Sequence, residues 1–380
     1  MEERLKTFLY QLIEKDGSDI HLQAGGKVHI RINGELEVIS EETMSNDDIV
    51  GIAREILTTS QYHDLAEKKE LDCSYTLDKR HRFRVNFFYQ VDGLSVVMRA
   101  IPPEIRSIEA LELPAVVNEL ADLSHGLVLI TGVTGAGKST TMAAILDRIN
   151  KLRRKHIISI EDPVEFIHRN DQCLVSQRAV GTNTESFANA LRAAMREDID
   201  VIFIGELRDL ETMQIALHAA NTGHLVFSTL HTLDAKETIS RILGMFPKEE
   251  QNRVRMTLSF VLEGIISQRL VKMTDGRQIP AVEVMRKTKR ISELIADNRD
   301  DEILEAIEKG REIYGSQSFD QSLLALYKKG RISQEEALKN ATSPSDLRLA
   351  MEGIGQGTGR ESAEMLQRKR ESFFDLKRTK

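Results

Sequence analysis

Hydrophobic residues in the first part of the chain follow two different periods. Near the N-terminus they recur at helical spacing up to Asp16-Gly17, which predicts one amphipathic helix: Leu5, Phe8, Leu9, Leu12 and Ile13. They then alternate with polar residues up to Asn33-Gly34, and this alternation of Val28, Ile30 and Ile32 predicts a β-hairpin. The segments RFRVNFF at 82–88 and SVVMRA at 95–100 flank Asp92-Gly93 and predict a second strand pair. Residues 1–101 are therefore predicted to form a small α+β domain.

The pattern changes after Pro102-Pro103, a stiff dipeptide followed by polar and charged residues, which predicts an interdomain linker over 102–118. Four nearly continuous apolar segments then alternate with helical patterns: LVLIT at 127–131, HIISI at 156–160, VIFIG at 201–205 and LVFST at 225–229. Such strands predict a parallel sheet covered by helices on both faces. The expected fold class is thus α/β, with a RecA-like core over 119–285.

Beyond the predicted core the chain becomes charged and helical in pattern, so 286–352 is predicted to be a C-terminal helical part. Glycines at 353, 355, 357 and 359 and a polar, basic end predict a flexible tail over 353–380.

Composition narrows the possible functions. A chain of 380 residues with 29% charged and 41% hydrophobic residues is typical of a soluble protein of two or three domains. The net charge of −7 disfavours a broadly basic surface for nucleic acid. Cys73 and Cys173 form no CxxC pair, which argues against a cysteine-rich zinc site and favours a reducing compartment. Because no apolar block has the length of a signal peptide or a membrane span, the sequence predicts a cytoplasmic location.

The strongest chemical signal is the segment GLVLITGVTGAGKSTT at 126–141, where a predicted strand runs into a P-loop. The predicted phosphate-binding residues are Gly132, Val133, Thr134, Gly135, Ala136, Gly137, Lys138, Ser139 and Thr140. Glycines let backbone N–H groups close around phosphate oxygens at the start of a helix. Lys138 is expected to reach the β- and γ-phosphates, and the Ser139 hydroxyl to bind Mg²⁺. The predicted ligands are therefore ATP and Mg²⁺.

Carboxylates at two predicted strand ends are candidates for orienting the attacking water. Glu161-Asp162 follows HIISI, and Glu206 follows VIFIG, at the edge of the sheet where ligands bind in open parallel sheets. On the residues alone, Asp162-Pro163 could simply begin a turn, and Glu206 could be a solvated surface residue.

Histidines and arginines provide further candidates. His224 and His231 bracket the strand LVFST, and His231 is the more plausible sensor of the γ-phosphate, although lone histidines are more often structural. Arg84 and Arg99 lie on predicted strands, where arginines are usually solvated. In a ring of subunits they could instead stabilise charge on a neighbouring subunit's phosphoryl group.

Together, GVTGAGKSTT, ISIEDPVEF, MREDIDVIFIGELRDLET and TGHLVFSTLHT resemble the hexameric ATPases of the secretion superfamily, in particular the PilT-type ATPases that retract type IV pili. The resemblance implies a PAS-like N-terminal domain before a RecA-like P-loop ATPase core, with ATP between them. It places the family's Walker A at 132–139, its Asp box on Glu161-Asp162 and its Walker B on Gly205-Glu206. It likewise assigns the His box to His224 and His231, and the trans-acting arginines to Arg84 and Arg99.

The same resemblance implies the partners. They are five further copies of the chain in a homohexamer, an inner-membrane pilus platform protein, pilin indirectly, and a paralogous retraction ATPase. The ring would be cytoplasmic and peripheral at the inner membrane. Pilus-assembly and type II secretion ATPases carry a four-cysteine zinc insertion, which the two cysteines here cannot form.

Three alternatives stay open. The segment RISELI at 290–295 departs from the AIRNLI of retraction motors, and the segment SFDQSLLALYKKGRISQEEALKNA at 318–341 resembles the accessory PilU-type paralogue. A nucleic-acid translocase is disfavoured by the negative charge, the 5% aromatic content and the lack of Trp, so no nucleic-acid partner is expected. A regulator that binds ATP without useful turnover is disfavoured by the full set of candidate catalytic residues.

Overall fold

The structure, a computed structural model, describes residues 1–32, 34–78, 80–101 and 104–353. Pro102-Pro103 of the predicted linker and residues 354–380 of the predicted tail lie outside this part of the chain. The described residues include no helix that is both long and apolar enough to span a bilayer.

The N-terminal domain is a six-stranded antiparallel sheet in the order β3-β2-β1-β6-β5-β4, with three helices on one face. Its elements are α1 (Glu2–Glu14), β1 (Asp19–Gln23), β2 (Lys27–Ile32), β3 (Glu35–Thr43), α2 (Asn46–Ile56), α3 (Thr59–Lys68), β4 (Glu70–Thr76), β5 (Arg82–Gln90) and β6 (Gly93–Ile101). The first helix and both hairpins predicted from the sequence are confirmed.

Side-chain alternation along β5 and β6 decides what each face of this sheet carries. Phe83, Val85 and Met98 point towards the helices and are buried in the core of the domain. Arg84 and Arg99, which are direct partners across the two strands, therefore lie on the opposite face. The domain thus presents two neighbouring arginines on the face without helices.

The core domain contains a seven-stranded sheet in the order β13-β12-β7-β11-β10-β8-β9. Its strands are β7 (Gly126–Thr131), β8 (His156–Glu161), β9 (Leu174–Ala179), β10 (Val201–Ile204), β11 (Leu225–Leu230), β12 (Leu262–Lys272) and β13 (Gln278–Arg286). Its helices are α4 (Val116–Ala121), α5 (Lys138–Leu152), α6 (Phe187–Ala194), α7 (Leu210–Asn221), α8 (Ala235–Gly244) and α9 (Lys248–Val261).

The four predicted strands are the central ones, and they are parallel to one another as expected. Successive residues of each strand enter two different hydrophobic cores, as Leu129 and Val128 do, because helices cover both faces. The sequence pattern had not indicated β9, β12 or β13. Only β13 is antiparallel to its neighbour, β12.

The C-terminal helical part packs on the β12–β13 side of this sheet. It comprises α10 (Lys289–Ala296), the 3-10 helix η1 (Asp300–Glu302), α11 (Ile303–Lys309), α12 (Arg311–Tyr314), α13 (Phe319–Lys328), α14 (Gln334–Asn340) and α15 (Pro344–Met351). Leu323 and Ile332 share a hydrophobic cluster with Val271 and Ile279 of the two strands. The helical character expected of this segment is therefore confirmed within the described residues.

The described part of the predicted linker behaves in two ways. Glu104, Arg106 and Ser107 are exposed. From Ile108 onwards, apolar residues such as Val117 are buried in the same core as the helix α5. The domain limits themselves stay a prediction.

Candidate active site

The P-loop, residues 132–140, joins the buried strand β7 to the helix α5. Its three glycines all have positive φ angles: 145° at Gly132, 80° at Gly135 and 86° at Gly137. A Cβ atom on Gly132 would lie 2.5 Å from the backbone oxygen of Gln268 on β12. Glycine is thus required there both for conformation and for the close approach of β12.

Lys138 turns back onto this loop. Its Nζ donates hydrogen bonds to the backbone oxygens of Gly132, at 2.7 Å, and Val133, at 3.0 Å. The side chain is only 9% exposed, and this burial lowers the pKa of Lys138, while the negative charges of Glu206 and Glu165 oppose the shift. A phosphate oxygen bound in the loop would compete with the two carbonyls for the ammonium group.

A cavity of about 540 Å³, within the usual range for small-molecule sites, lies between the P-loop and the N-terminal domain. It gathers most of the residues predicted from the sequence: Arg84, Arg99, Thr134, Gly135, Gly137, Lys138, Ser139, Thr140, Glu161, Glu206 and His231. We call the P-loop with Glu161, Glu206 and His231 the core wall, and Arg84 with Arg99 the N-terminal wall. Gly132 and Ala136 are buried behind the cavity, and Val133 points to solvent.

Glu206 follows β10 and is the centre of a charged cluster. Its Oε2 accepts a hydrogen bond from Nε of Arg208 at 2.8 Å, and its Oε1 lies 3.4 Å from Nε2 of His231. The side chain is 21% exposed, so it can still reach a ligand in the cavity. The arrangement links the predicted water-activating carboxylate to the predicted histidine sensor.

Glu161 ends β8 and is more enclosed. Burial raises the pKa of Glu161 to about 7, although hydrogen bonds from Ser159, the backbone of Glu165 and Gln177 lower it. A carboxyl group that titrates near neutrality can both accept and return a proton at physiological pH. Glu161 therefore has the property expected of a general base.

The two arginines of the N-terminal wall line the cavity of their own chain. Nη1 of Arg84 lies 3.6 Å from Oε1 of Glu165 in the core domain. Nε of Arg99 donates to Oδ1 of the buried Asp19 at 2.7 Å. The family resemblance implied that these arginines act on a neighbouring subunit, but within this chain they already face its own P-loop.

His224 is not brought to the cavity of its own chain. It precedes β11, whereas His231 follows it, and six strand residues span about 20 Å. Its Nδ1 lies 3.1 Å from the backbone oxygen of Ala219 at the end of α7. Sequence proximity to the same strand had suggested one location, but the two ends of a parallel strand lie at opposite edges of the sheet.

Several residues of the cavity are not among those predicted from the sequence. Glu165 and Arg208 stand within the segments EDPVEF and GELRD, directly after the predicted carboxylates, so a signal was present. Leu270 belongs to β12, a strand that the pattern had not indicated. Gln177, which contacts Glu161 but does not line the cavity, belongs to β9, another such strand. Their contribution required the order of strands in the sheet.

The donors around the cavity fit the two ligands expected from the sequence. The P-loop is a cradle that a side chain at Gly132 would fill. The exposed hydroxyl of Ser139 and the carboxylate of Glu206 offer the hard oxygen atoms that Mg²⁺ prefers.

Comparison with known proteins places these features in context. The family described as "Type II/IV secretion system protein" matches residues 1–362. The "Type IV pilus retractation ATPase PilT" of Pseudomonas aeruginosa is 42% identical over 341 residues, which are 90% of this chain and 99% of that protein. The "Type IV pilus ATPase PilU" of the same organism is 39% identical over 347 residues, 90% of each chain.

Two solved structures are similar to this chain. The crystal structure of the pilus retraction motor PilT with bound ADP has 41% sequence identity and a TM-score of 0.83, and the match covers 90% of this chain and 98% of that one. The ATPase DotB of Legionella pneumophila has 26% identity and a TM-score of 0.79, over 93% and 97% of the two chains.

Proposed function

Because the chain belongs to the family of type II/IV secretion system proteins, in its branch of PilT-type ATPases, we propose that it hydrolyses ATP to retract type IV pili and so drives twitching motility. The observation that carries the proposal is the extent of the match to PilT, 99% of that protein. A match over 341 of the 380 residues includes both walls of the cavity.

The proposed reaction is the transfer of the γ-phosphoryl group of ATP to water, giving ADP and phosphate. The P-loop backbone and Lys138 hold the phosphates, and Ser139 would hold Mg²⁺, which when bound would neutralise negative charge on the phosphates. Glu206 orients the attacking water, and Glu161 accepts its proton as the new P–O bond forms and the bond to ADP breaks.

Three further side chains have proposed roles in this step. Arg84 and Arg99 stabilise the charge on the transferred phosphoryl group from the opposite side of the cavity. His231, 3.4 Å from Glu206, couples the position of that carboxylate to the state of the γ-phosphate.

We propose that six copies form a ring that acts on an inner-membrane platform protein and on pilin only indirectly. The ring would be cytoplasmic and peripheral at that membrane, with a paralogous ATPase as a companion. The support is the similarity to pilus motors.

A second candidate is an accessory ATPase that assists the main motor, since PilU is nearly as similar as PilT. The departure RISELI forms α10, whose Ile291, Leu294 and Ile295 are buried. Arg290 on this helix pairs with Glu302 at 2.8 Å, a contact that joins α10 to η1.

Two measurements test these proposals. The purified chain should hydrolyse ATP with Mg²⁺ and lose this activity in EDTA. Expressed in a strain that lacks its PilT-type motor, it should restore twitching. Restoration only when the host motor is present would favour the accessory function. Stimulation of hydrolysis by DNA would favour a translocase, and hydrolysis without any effect on pili would contradict pilus retraction.

A further inference from the structure

Gln177 lies on β9, the edge strand next to β8, and its side chain faces Glu161, the proposed proton acceptor. The two strands are parallel, with Ser159 opposite Gln177 and Glu161 opposite Ala179. Since alternate residues of a strand share a face, Ser159, Glu161 and Gln177 lie on the same side of the sheet.

The carboxamide of Gln177 is surrounded by hydrogen-bond partners. Its Nε2 lies 2.9 Å from the backbone oxygen of Phe166, 3.3 Å from Oγ of Ser159 and 3.4 Å from Oε1 of Glu161. Its Oε1 accepts a hydrogen bond from the backbone N–H of His168 at 2.8 Å. An amide nitrogen has two hydrogens, so one serves Phe166 while the other is shared between Ser159 and Glu161.

The contacts to Phe166 and His168 hold the loop that follows β8. The same loop supplies Glu165, whose backbone N–H lies 3.4 Å from Oε2 of Glu161 and whose carboxylate meets Arg84. Gln177 thus connects the Glu161 side chain to the backbone of the segment through which the N-terminal wall contacts the core.

We propose that Gln177 is a positioning residue for hydrolysis: its carboxamide fixes the Glu161 carboxylate and the loop of residues 162–168 in one arrangement and favours the ionised form of that carboxylate. The inference rests on the proposed function, in which Glu161 accepts the proton of the attacking water. It adds a residue on the edge strand that does not itself line the cavity.

The electrostatic part of the inference follows from the groups around Glu161. Burial raises the pKa of Glu161 to about 7, and the donors Ser159 and Gln177 and the backbone of Glu165 oppose that rise. The charged groups that act on this carboxyl are Glu165 on its loop and Arg82 on β5. The other titratable side chains of the cavity are Arg84, Arg99, Lys138, Asp162, His168, Glu206, Arg208 and His231. Removing the Gln177 donor while leaving these charges in place should favour the protonated, inactive form of Glu161.

The test is Gln177→Met, which keeps the length and approximate volume of the side chain and removes its hydrogen bonds. We expect kcat for ATP hydrolysis to fall about tenfold at pH 7 and to approach the parent value near pH 9, because the acid limb of the pH profile moves to higher pH. KM for ATP should change less than about twofold, since no phosphate contact is lost.

Two variants make the test specific. Gln177→Glu places a second carboxyl beside Glu161 and should move the acid limb further than Gln177→Met does. Gln172→Met is the matched control, because the side chain of this exposed glutamine hydrogen-bonds to Asp171, away from Glu161, and the change should leave the profile unchanged.

An unchanged acid limb in Gln177→Met, with either full activity or an equal loss at every pH, would overturn the inference. Glu161→Gln, measured in parallel, separates this failure from that of the proposed function. If Glu161→Gln retains turnover, the role of Glu161 is wrong. If it is inactive while Gln177→Met keeps the parent profile, only the positioning role is wrong.

Discussion

The core wall of the cavity is held by a sheet buried on both faces, whereas the N-terminal wall reaches the cavity through two arginine side chains. Glu161 ends a parallel strand, and Glu206 and His231 each lie within two residues of a strand end, so packing of the core domain positions them. Arg84 instead meets the core through an ion pair with Glu165, and both groups are partly exposed.

The two walls therefore differ in the free energy needed to displace their side chains, which is large for the core wall and small for Arg84. Ion pairs between exposed groups contribute about 0.2–1 kcal/mol each, far less than the burial of one apolar strand. The N-terminal wall is therefore the side of the cavity that is held less strongly in place.

The largest effect on hydrolysis is expected for a substitution in the core wall. Glu206→Gln keeps the shape of the side chain but removes its charge, so kcat should fall about 10⁴-fold while the affinity for ADP stays within about twofold. Steady-state hydrolysis and ADP titration measure the two quantities. Glu211→Gln, on the exposed start of α7, is the control. Unchanged turnover in Glu206→Gln would remove this carboxylate from the mechanism.

The next effect breaks the N-terminal wall. Arg84→Gln removes a cation from the cavity, and kcat should fall about 10³-fold with little change in ADP affinity, as for other arginines that stabilise a transferred phosphoryl group. Arg31→Gln is the matched control, because Arg31 lies on β2 of the same sheet and donates to the backbone of Gly34 instead.

A mixing experiment sharpens the same comparison. If both walls of each cavity come from one chain, as here, a mixture of Arg84→Gln and Glu206→Gln chains contains no intact site and should stay inactive. If Arg84 acts on a neighbouring subunit, some sites in mixed rings combine an intact arginine with an intact glutamate. Recovered hydrolysis would then show that the arginine acts in trans.

A buried carboxyl on β13 tests the stability of the core domain. Glu283 on β13 is 4% exposed and accepts a hydrogen bond at 2.9 Å from the backbone N–H of Ala235, the first residue of α8 after the His231 loop. Burial raises the pKa of Glu283 to about 7; Asp234 and Glu308 add to the rise and Arg269 opposes it.

The raised pKa gives the sign of the expected pH dependence. Glu283 stabilises the fold most below pH 4.5, its ordinary pKa, and this contribution is lost as the pH rises through about 7. Glu283→Gln keeps the acceptor without the charge, so the variant should be more stable than the parent at pH 8, by on the order of 3 kcal/mol. Urea unfolding at pH 5 and pH 8 measures this difference. An advantage that does not grow with pH, or one shared by the exposed Glu335→Gln, would contradict the assignment.

The smallest effect concerns the contact between the walls. Glu165→Gln removes the partner of Arg84 and a negative charge from the cavity, so the affinity for ATP should rise about threefold, most visibly at low salt. Isothermal titration with a non-hydrolysable ATP analogue measures it, with the exposed Glu185→Gln as control. A weaker affinity would mean that Glu165 itself supports the nucleotide.

Local patterns in the sequence predicted the residues of the core wall better than the residues on neighbouring strands that contact them or complete the cavity. The P-loop is contiguous, and Glu161, Glu206 and His231 follow apolar runs that can be recognised individually. Which strands neighbour each other depends on long-range packing, so Gln177 of β9 and Leu270 of β12 could not be assigned. His224 was expected near the cavity because it adjoins the strand LVFST. It lies at the other edge of the sheet, because it precedes the strand whereas His231 follows it.

The helices and strands of the antiparallel domain were easier to predict than its contact with the core domain. Its helix and hairpins follow from periodicity and turn residues. Alternation also predicts that Arg84 and Arg99 share a face. The ion pair of Arg84 with Glu165 joins two domains, however, and no pattern within either segment encodes that contact.

The hydrogen bonds of Lys138 have a consequence for how loss-of-function variants should be chosen. This ammonium group donates hydrogen bonds to the backbone oxygens of Gly132 and Val133. Without it, the P-loop would lose these two hydrogen bonds as well as a phosphate contact. An inactive Lys138→Ala chain would confound a misshapen loop with a missing charge. Glu206→Gln leaves the P-loop contacts of Lys138 in place. It is therefore the better variant for obtaining a motor that binds ATP but does not hydrolyse it.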